Sequence, residues 1–188
     1  MRLIIIDGLD GVGKDTQAQL IKKRYEKKGD KVLIRSHPES DNFFGLKAKK
    51  ALLKSGKINK TKAAIYYMLD VLRSIRKYYR RKDIDTLIMV RYLVGTAYLP
   101  ERLARYAYQF FLGFVPTSKY MFFLDAPPKL VLERISDRDE KEMFETYEAL
   151  VKVRKKALKL VKNWIIIDAS KSIENTFSKI EIKLNELD

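Results

Sequence analysis

The feature that most constrains the fold is a glycine-rich segment at residues 8–16, which reads Gly-Leu-Asp-Gly-Val-Gly-Lys-Asp-Thr. An apolar run at residues 3–6 precedes it, and a helical pattern carrying Leu20 and Ile21 follows it. A strand, a glycine loop and a helix in this order predict a phosphate-binding P-loop. The alternative is a glycine-rich turn that carries an exposed lysine.

The residue types of this loop suit separate tasks. Glycine permits the positive φ values that let a backbone close around a phosphate, and the loop amides then face the anion at the positive end of the helix dipole. We expect Lys14 at a solvent-facing end of the loop, where its charge can follow the β- and γ-phosphates of a nucleotide. The predicted nucleotide-binding residues are Gly8, Asp10, Gly11, Val12, Gly13, Lys14, Asp15 and Thr16.

Asp15 departs from the P-loop pattern, because it occupies the position of a magnesium-binding hydroxyl. Our hypothesis is that its carboxylate is itself a ligand of Mg²⁺, which prefers hard oxygen donors, and that Thr16 contacts phosphate. The alternative is that Asp15 turns outward along the first turn of the helix, where a negative charge favours the helix dipole.

Composition limits the class of protein. A chain of 188 residues with 46% hydrophobic residues predicts one globular domain. No apolar run approaches the roughly 20 residues of a membrane span, and the absence of cysteine excludes disulfides, so we expect a cytoplasmic protein. The net charge is +15, but the lysines are interspersed with acidic residues along predicted helices. This pattern indicates solvated surfaces, and neither nucleic acid nor membrane is an expected partner.

Five apolar segments alternate with helical patterns. The predicted strands are residues 2–7, 31–36, 86–91, 119–125 and 163–168. The predicted helices are residues 14–28, 43–56, 60–82, 100–113, 128–137, 141–162 and 171–186. Near-continuous apolar strands are typical of parallel sheets covered on both faces, so the alternation predicts an α/β fold with right-handed crossovers.

The predicted helix 60–82 has two faces of interest. We expect one of them to pack in the core, and its apolar members are Ile65, Leu69, Leu72 and Ile75, with Met68 beside them. The other face brings together Tyr66, Asp70 and Arg73 at positions i, i+4 and i+7. An aromatic ring beside an arginine could stack on a base and hold an anion. A solvated Asp–Arg pair with a half-buried tyrosine is an equal alternative.

Further segments in chain order carry a resemblance to a known family. They are residues 6–14, Arg91-Tyr92, residues 123–128 (Phe-Leu-Asp-Ala-Pro-Pro), Arg134 and Arg138 before Met143-Phe144-Glu145, and residues 167–170 (Ile-Asp-Ala-Ser). With these segments the chain resembles thymidylate kinase and its nucleoside monophosphate kinase relatives over nearly its whole length. The resemblance implies a P-loop NTPase fold in a single domain (1–188), with a five-stranded parallel sheet flanked by helices and a short lid near residues 134–145.

The resemblance also implies an activity. It is the magnesium-assisted transfer of the γ-phosphoryl group of ATP to a nucleoside monophosphate, with conversion of dTMP to dTDP as the first expectation. The alternatives are a kinase of the same fold for another nucleotide or small molecule, and a nucleotide-binding protein with impaired catalysis. The resemblance further suggests a homodimer formed through apolar helix faces.

The resemblance assigns phosphate contacts to arginines. Arg91 would hold the acceptor phosphate together with Arg35 or Arg73. Arg134 and Arg138 would neutralise the transferring group from the lid, which suits a reaction that depends on positioning and charge stabilisation. For Arg138, an ion pair with a neighbouring acidic residue of its own loop is the alternative.

The acceptor's sugar and base have expected contacts as well. Asp10 matches the P-loop acid that contacts the 3′-hydroxyl of the acceptor. Tyr66 or Tyr67 would stack on the base, and Tyr98 would border the same pocket.

Several positions depart from the family pattern. One residue too many separates Arg35 from Pro38, Val71 stands where an arginine is expected, and Val90 stands where an aspartate is expected. The family's Ala-Tyr-Gln segment ends here in Leu99, without the glutamine that helps to read thymine, so the identity of the base stays open. Our metal hypothesis makes Asp15 the source of the carboxylate that Val90 lacks.

Overall fold

A computed structural model describes residues 1–54, 56–136 and 146–188. Its sheet has the order β2-β3-β1-β4-β5, and every neighbouring pair of strands is parallel. The strands are β1 (Arg2–Gly8), β2 (Val32–Ser36), β3 (Thr86–Val90), β4 (Tyr120–Asp125) and β5 (Ile165–Asp168). The predicted five-stranded parallel α/β fold is thereby confirmed.

Helices follow the strands as the sequence predicts. They are α1 (Lys14–Glu26), α2 (Phe43–Leu52), α3 (Lys57–Tyr78), α4 (Glu101–Phe114), α5 (Pro128–Ser136), α6 (Tyr147–Leu160) and α7 (Ile173–Leu187). Side chains of Asn42, Thr146 and Ser172 cap α2, α6 and α7 by accepting backbone N–H groups. Parts of two predicted helices, residues 137 and 141–145, lie outside the described residues.

A short 3₁₀ helix, Val94–Tyr98, follows β3 and was not predicted. It is a five-residue element, too short to show an amphipathic period. The Thr96 hydroxyl donates to the carbonyl of Leu93 at 2.8 Å and closes its first turn.

The sheet brings the P-loop to the middle of its carboxyl edge. The residues of β3 and nearly all of β1 are buried, because helices cover both faces of the sheet. Strand register pairs Ile6 of β1 with Val90 and Gly8 with Leu124. The connections that leave β1 and β3 therefore begin side by side, at the point where ligands bind in open α/β sheets.

Helix α3 packs differently from the prediction. Ile65 is 55% exposed and Leu69 is also exposed, whereas Val71 and Met68 are buried. The prediction was half wrong, since Leu72 and Ile75 do pack partly against the core. Apolar residues occur on more than one face of this helix, so periodicity alone could not select the face that meets the sheet. Within the described ranges, none of the helices has both the length and the apolar character that a membrane crossing requires.

Candidate active site

The P-loop adopts the conformation that its glycines predict. Gly8, Gly11 and Gly13 have φ values of 152°, 85° and 89°. A Cβ atom at Gly8 would overlap the carbonyl oxygen of Leu124, and one at Gly11 would lie 2.6 Å from Cγ2 of Ile135. The loop therefore needs glycine both for its backbone conformation and for its close approach to neighbours.

Three further loop residues differ in exposure. Val12 is buried and anchors the loop, whereas Gly13 and Thr16 are exposed at the start of α1. Gly13 is the N-cap residue of α1 in the left-handed region. The amino end of α1 is thus accessible to solvent, as anion binding at a helix N-terminus requires.

Lys14 is not solvent-facing, and our expectation for its position was wrong. The residue is 2% exposed, and Nζ donates to the carbonyls of Leu9 at 2.6 Å and Gly8 at 3.1 Å. Nζ also lies 3.4 Å from Oδ1 of Asp10. Burial lowers the pKa of Lys14, while the charge of Asp10 opposes the shift. A buried ammonium needs hydrogen-bond acceptors, and the backbone carbonyls of the P-loop supply them.

Asp10 joins the P-loop to Tyr98 and Arg91. Its Oδ2 accepts a hydrogen bond from the Tyr98 hydroxyl at 2.9 Å, and Oδ1 lies 3.4 Å from Nε of Arg91. Burial acts to raise the pKa of Asp10, but the charges of Lys14 and Arg91 hold it well below its usual range. Asp10 is therefore a permanent anion between two cations.

Arg91 is fixed at its backbone and directed towards the P-loop. Its φ is 57°, in the left-handed region that non-glycine residues seldom adopt. The Arg91 N–H donates to the carbonyl of Ile6 at 3.0 Å, and the Tyr67 hydroxyl donates to the Arg91 carbonyl. Such strain persists where surrounding contacts enforce it, and it is common at functional sites.

The carboxylate of Asp15 turns towards Arg91. Nη1 of Arg91 lies 3.0 Å from Asp15 Oδ2 and donates to the Ser36 hydroxyl oxygen at 2.9 Å. Ser36 in turn donates to Asp15 Oδ1 at 2.5 Å. Burial acts to raise the pKa of Asp15, but the charge of Arg91 and this hydrogen bond lower it. Asp15 therefore contacts Arg91 and Ser36 from the first turn of α1, although more than half of its side chain is exposed.

Ser36, rather than Arg35, is the β2 residue at this cluster. Successive side chains of a strand point to opposite faces, so the two residues cannot both reach the P-loop. Arg35 instead pairs with both oxygens of Asp41, at 3.0 and 2.9 Å, and Arg73 lies 3.7 Å from the same carboxylate. The structure does not bring Arg35 and Arg73 to Arg91, and their role at the acceptor phosphate stays a prediction.

Asp70 does not form the solvated pair with Arg73 that was one alternative. It is fully buried and accepts hydrogen bonds from the Asn42 side chain at 2.6 Å and the Glu39 N–H at 2.8 Å. Its Oδ2 also lies 2.9 Å from Nδ1 of His37. Asp70 therefore ties the loop after β2 to α3.

A cavity of about 600 Å³ adjoins the P-loop. Asp10, Arg91 and Tyr98 lie at its polar end. Most of its wall is apolar and includes Leu52, Ala64, Met68, Leu99, Leu103 and Phe111. Its size and composition suit a small ligand that carries one charged group.

Two of the three candidate tyrosines line this cavity. Tyr67 and Tyr98 do so, whereas Tyr66 packs edge-on against Phe43 with ring centroids 6.3 Å apart. Lys156 of α6 also lines the cavity and donates to the Leu99 carbonyl at 2.5 Å, a contribution that no pattern in the sequence indicated.

Of the two arginines that the resemblance assigns to a lid, one lies among the described residues. Arg134 lies on α5, where Nη1 donates to the carbonyl of Ala169 at 3.1 Å and Nη2 to that of Lys171 at 3.2 Å. It thus connects the end of α5 to the loop before α7. Arg138 lies outside the described residues, as does most of the predicted lid.

Asp15 is a suitable magnesium ligand among the described residues at this site. The described part of the chain holds no group of three or more His, Cys, Asp or Glu side chains that could bind a metal by themselves. Mg²⁺ is commonly held by one or two carboxylates together with substrate phosphates and water. The Asp15 side chain is 57% exposed at the end of the P-loop, so its carboxylate fits that arrangement.

Comparison with known proteins places the chain in a family. The family model described as thymidylate kinase matches residues 6–180. The chain is 28% identical to the probable thymidylate kinase of Thermococcus kodakarensis, over 94% of both chains. It is also 28% identical to the thymidylate kinase of Thermosipho africanus, over 95% of this chain and 94% of that protein.

Among solved structures, a thymidylate kinase from Candida albicans has the same fold. It superimposes with a TM-score of 0.75 and 20% identity, over 99% of this chain and 92% of that one. The P-loop, the arginine after β3 and the family match together identify the chain as a member of the thymidylate kinase family.

Proposed function

We propose that this chain transfers the γ-phosphoryl group of ATP to a nucleoside monophosphate, with dTMP as the preferred acceptor. The observation that carries the proposal is the cavity that adjoins the P-loop, with Arg91 and Asp10 at its polar end. A donor site and an acceptor site then meet at one arginine. Membership of an enzyme family whose members are named thymidylate kinases supports the same reaction.

On the donor side, the P-loop amides and Lys14 bind the phosphates of ATP. The Lys14 ammonium already lies inside the loop on two carbonyl oxygens, so it can exchange these partners for phosphate oxygens with little movement. Mg²⁺, held with the phosphates by Asp15, would neutralise charge on the transferring group. No strong base is needed, because the attacking phosphate oxygen is already ionised.

On the acceptor side, Arg91 binds the monophosphate and the cavity binds the nucleoside. Tyr67 offers a ring for base stacking, and Asp10 with Tyr98 lies where the sugar hydroxyl would be placed. The apolar side chains of Met68 and Leu99 suit the methyl group that distinguishes thymine.

The test is a coupled kinase assay of ATP with dTMP, dUMP, UMP, CMP, AMP and GMP. We expect dTMP to give the highest kcat/KM. A higher kcat/KM for another monophosphate would show that this monophosphate, and not dTMP, is the preferred acceptor. ATP binding without turnover of any monophosphate would establish the alternative of a nucleotide-binding protein with impaired catalysis.

Arg91→Ala tests the acceptor site. The variant should raise the KM for dTMP at least tenfold and change the KM for ATP little, since the proposed contact is to the acceptor phosphate. Arg81→Ala is the matched control, because Arg81 pairs with Asp83 at the opposite edge of the sheet. Equal weakening of both substrates with a lower melting temperature would show that Arg91 is only a structural ion-pair partner.

Four expectations from the sequence stay proposals. They are the lid near residues 134–145, the single-domain organisation, the cytoplasmic location and the homodimer. Exposed aromatic side chains on α4, such as Tyr106, Phe110 and Phe114, support the homodimer as apolar surface that a second copy could cover.

A further inference from the structure

The acidic residue that distinguishes this P-loop contacts the arginine assigned to the acceptor. Asp15, Ser36 and Arg91 form a closed set of contacts, in which Arg91 donates to Ser36, Ser36 donates to Asp15, and Arg91 and Asp15 form an ion pair. Asp15 lies in the first turn of α1, on the proposed donor side, and Arg91 directly follows β3, on the proposed acceptor side. The set therefore links the residues assigned to the two substrates.

The charges at this place cancel in pairs. Lys14 lies beside Asp10, and Arg91 lies between Asp10 and Asp15. A polyphosphate that approaches without a metal meets cations that are already paired and a carboxylate that repels it. When the polyphosphate carries a divalent cation, the Asp15 carboxylate can instead bind that cation as a ligand.

The two carboxylates hold Arg91 unequally. Asp10 lies 3.4 Å from Nε and is also bound by Tyr98 and Lys14. Asp15 makes the shorter contact, at 3.0 Å, yet its side chain is more than half exposed and the Ser36 hydroxyl is its other described partner. Asp15 is therefore the partner that can leave Arg91 while Asp10 stays in place.

We propose that Asp15 couples the two substrates: it holds Arg91 in the nucleotide-free chain, and it exchanges Arg91 for the metal that accompanies ATP, which leaves Arg91 to the acceptor phosphate. Asp15 is then a positioning residue for Arg91 and also selects metal-bound over metal-free nucleotide. The inference rests on the proposed function. The Arg91 backbone is held at both its N–H and its carbonyl, so the exchange needs movement of side chains alone.

The main test measures binding by calorimetry, without turnover. dTMP is titrated into the full chain with and without a non-hydrolysable ATP analogue and Mg²⁺. In the wild type, the analogue with Mg²⁺ should tighten dTMP binding at least fivefold, a coupling in the usual range for linked sites. In Asp15→Asn, dTMP should bind more tightly than to the wild type in the absence of nucleotide, and the coupling should fall below twofold.

Two further variants make the test specific. Asp15→Ser restores a hydroxyl at this position and should also lose the coupling. Asp83→Asn breaks another Asp–Arg pair, the one with Arg81 at the opposite edge of the sheet, and should keep the wild-type coupling. Equal coupling in the wild type and both Asp15 variants would overturn the proposal, as would loss of coupling in Asp83→Asn.

The second arm titrates the ATP analogue in the presence of EDTA. The wild type should bind the metal-free analogue at least fivefold more weakly than Asp15→Asn does, because the variant lacks the repelling carboxylate. Equal or tighter binding by the wild type would overturn the proposal. The coupled assay with dTMP reports the proposed function separately: turnover of dTMP with no coupling refutes only the role of Asp15.

Discussion

Lys14→Met separates the proposed catalytic role of the buried lysine from its structural role. Methionine keeps an unbranched side chain of similar length, so it fills the same space without the charge. The ammonium makes two hydrogen bonds, to the carbonyls of Leu9 at 2.6 Å and Gly8 at 3.1 Å, and a longer contact to Asp10 at 3.4 Å.

The magnitudes differ between the two roles. Two hydrogen bonds from a charged donor contribute about 3 kcal/mol, but removal of the buried ammonium also removes its desolvation cost, so we expect a net loss of about 1 kcal/mol in the free energy of unfolding. Loss of a preorganised donor to the transferring group costs about 3–4 kcal/mol in the transition state. The kcat should therefore fall about 10²- to 10³-fold.

The assay combines the kcat for dTMP with a urea unfolding curve for each variant. Lys22→Met is the matched control, because Lys22 lies on the same helix and contacts Glu26 at 3.5 Å on the surface. It should retain wild-type kcat and stability. A folded Lys14→Met variant with near-normal kcat would refute the P-loop assignment, and one that cannot fold would show that Lys14 mainly stabilises the loop.

Three other substitutions test the cavity, the loop after β2 and the P-loop backbone. Tyr67→Ala should weaken dTMP binding by about 1–3 kcal/mol in a titration, whereas Tyr66→Ala should change the dissociation constant for dTMP by less than about twofold. Equal effects of the two substitutions would show that the base does not stack on Tyr67. Asp70→Ala should lower the free energy of unfolding by about 3 kcal/mol in urea, because it leaves His37 buried without its partner. Burial acts to raise the pKa of Asp70, but His37 and the other donors to this carboxylate lower the pKa below the ordinary 3.8. The stabilisation that the Asp70 carboxylate contributes is therefore complete above pH 3.8 and is lost as the pH falls through the lower pKa of the folded state. The wild type, but not Asp70→Ala, should lose this part of its stability below pH 3.8, and identical acid unfolding curves would contradict the assignment. Gly8→Ala should lower the melting temperature and abolish ATP binding, since its Cβ would overlap the Leu124 carbonyl; an unchanged melting temperature would contradict the loop geometry.

The sheet could be predicted because its strands are long apolar runs. Residues such as Ile4, Ile5 and Ile6 have no polar alternation, and this pattern is typical of a strand buried on both faces. The P-loop could be predicted because its backbone needs positive φ values that glycine readily adopts, and the three glycines of the loop do have positive φ values. Both signals are local in sequence.

The arrangement of charges could not be predicted, because it depends on contacts between distant segments. Lys14 is buried by carbonyls of its own loop, and Ser36 rather than Arg35 reaches the P-loop because of the strand's alternation. The ion pair of Asp15 joins residues 76 positions apart. A single sequence gives residue types and spacing along the chain, but side-chain direction at a strand end follows from register with its neighbours.

Asp7, at the end of β1, has a consequence for the distance between the two substrates. One oxygen of this buried carboxylate accepts the backbone N–H groups of Tyr92, Leu93 and Val94, at 2.9, 3.0 and 2.9 Å. Its other oxygen accepts the N–H of Gly8 at 3.1 Å. The start of the P-loop and the segment that follows β3 are thus hydrogen-bonded to a single side chain. The distance over which the phosphoryl group is transferred is then determined by the fold before either nucleotide binds. No binding energy is therefore needed to establish that distance.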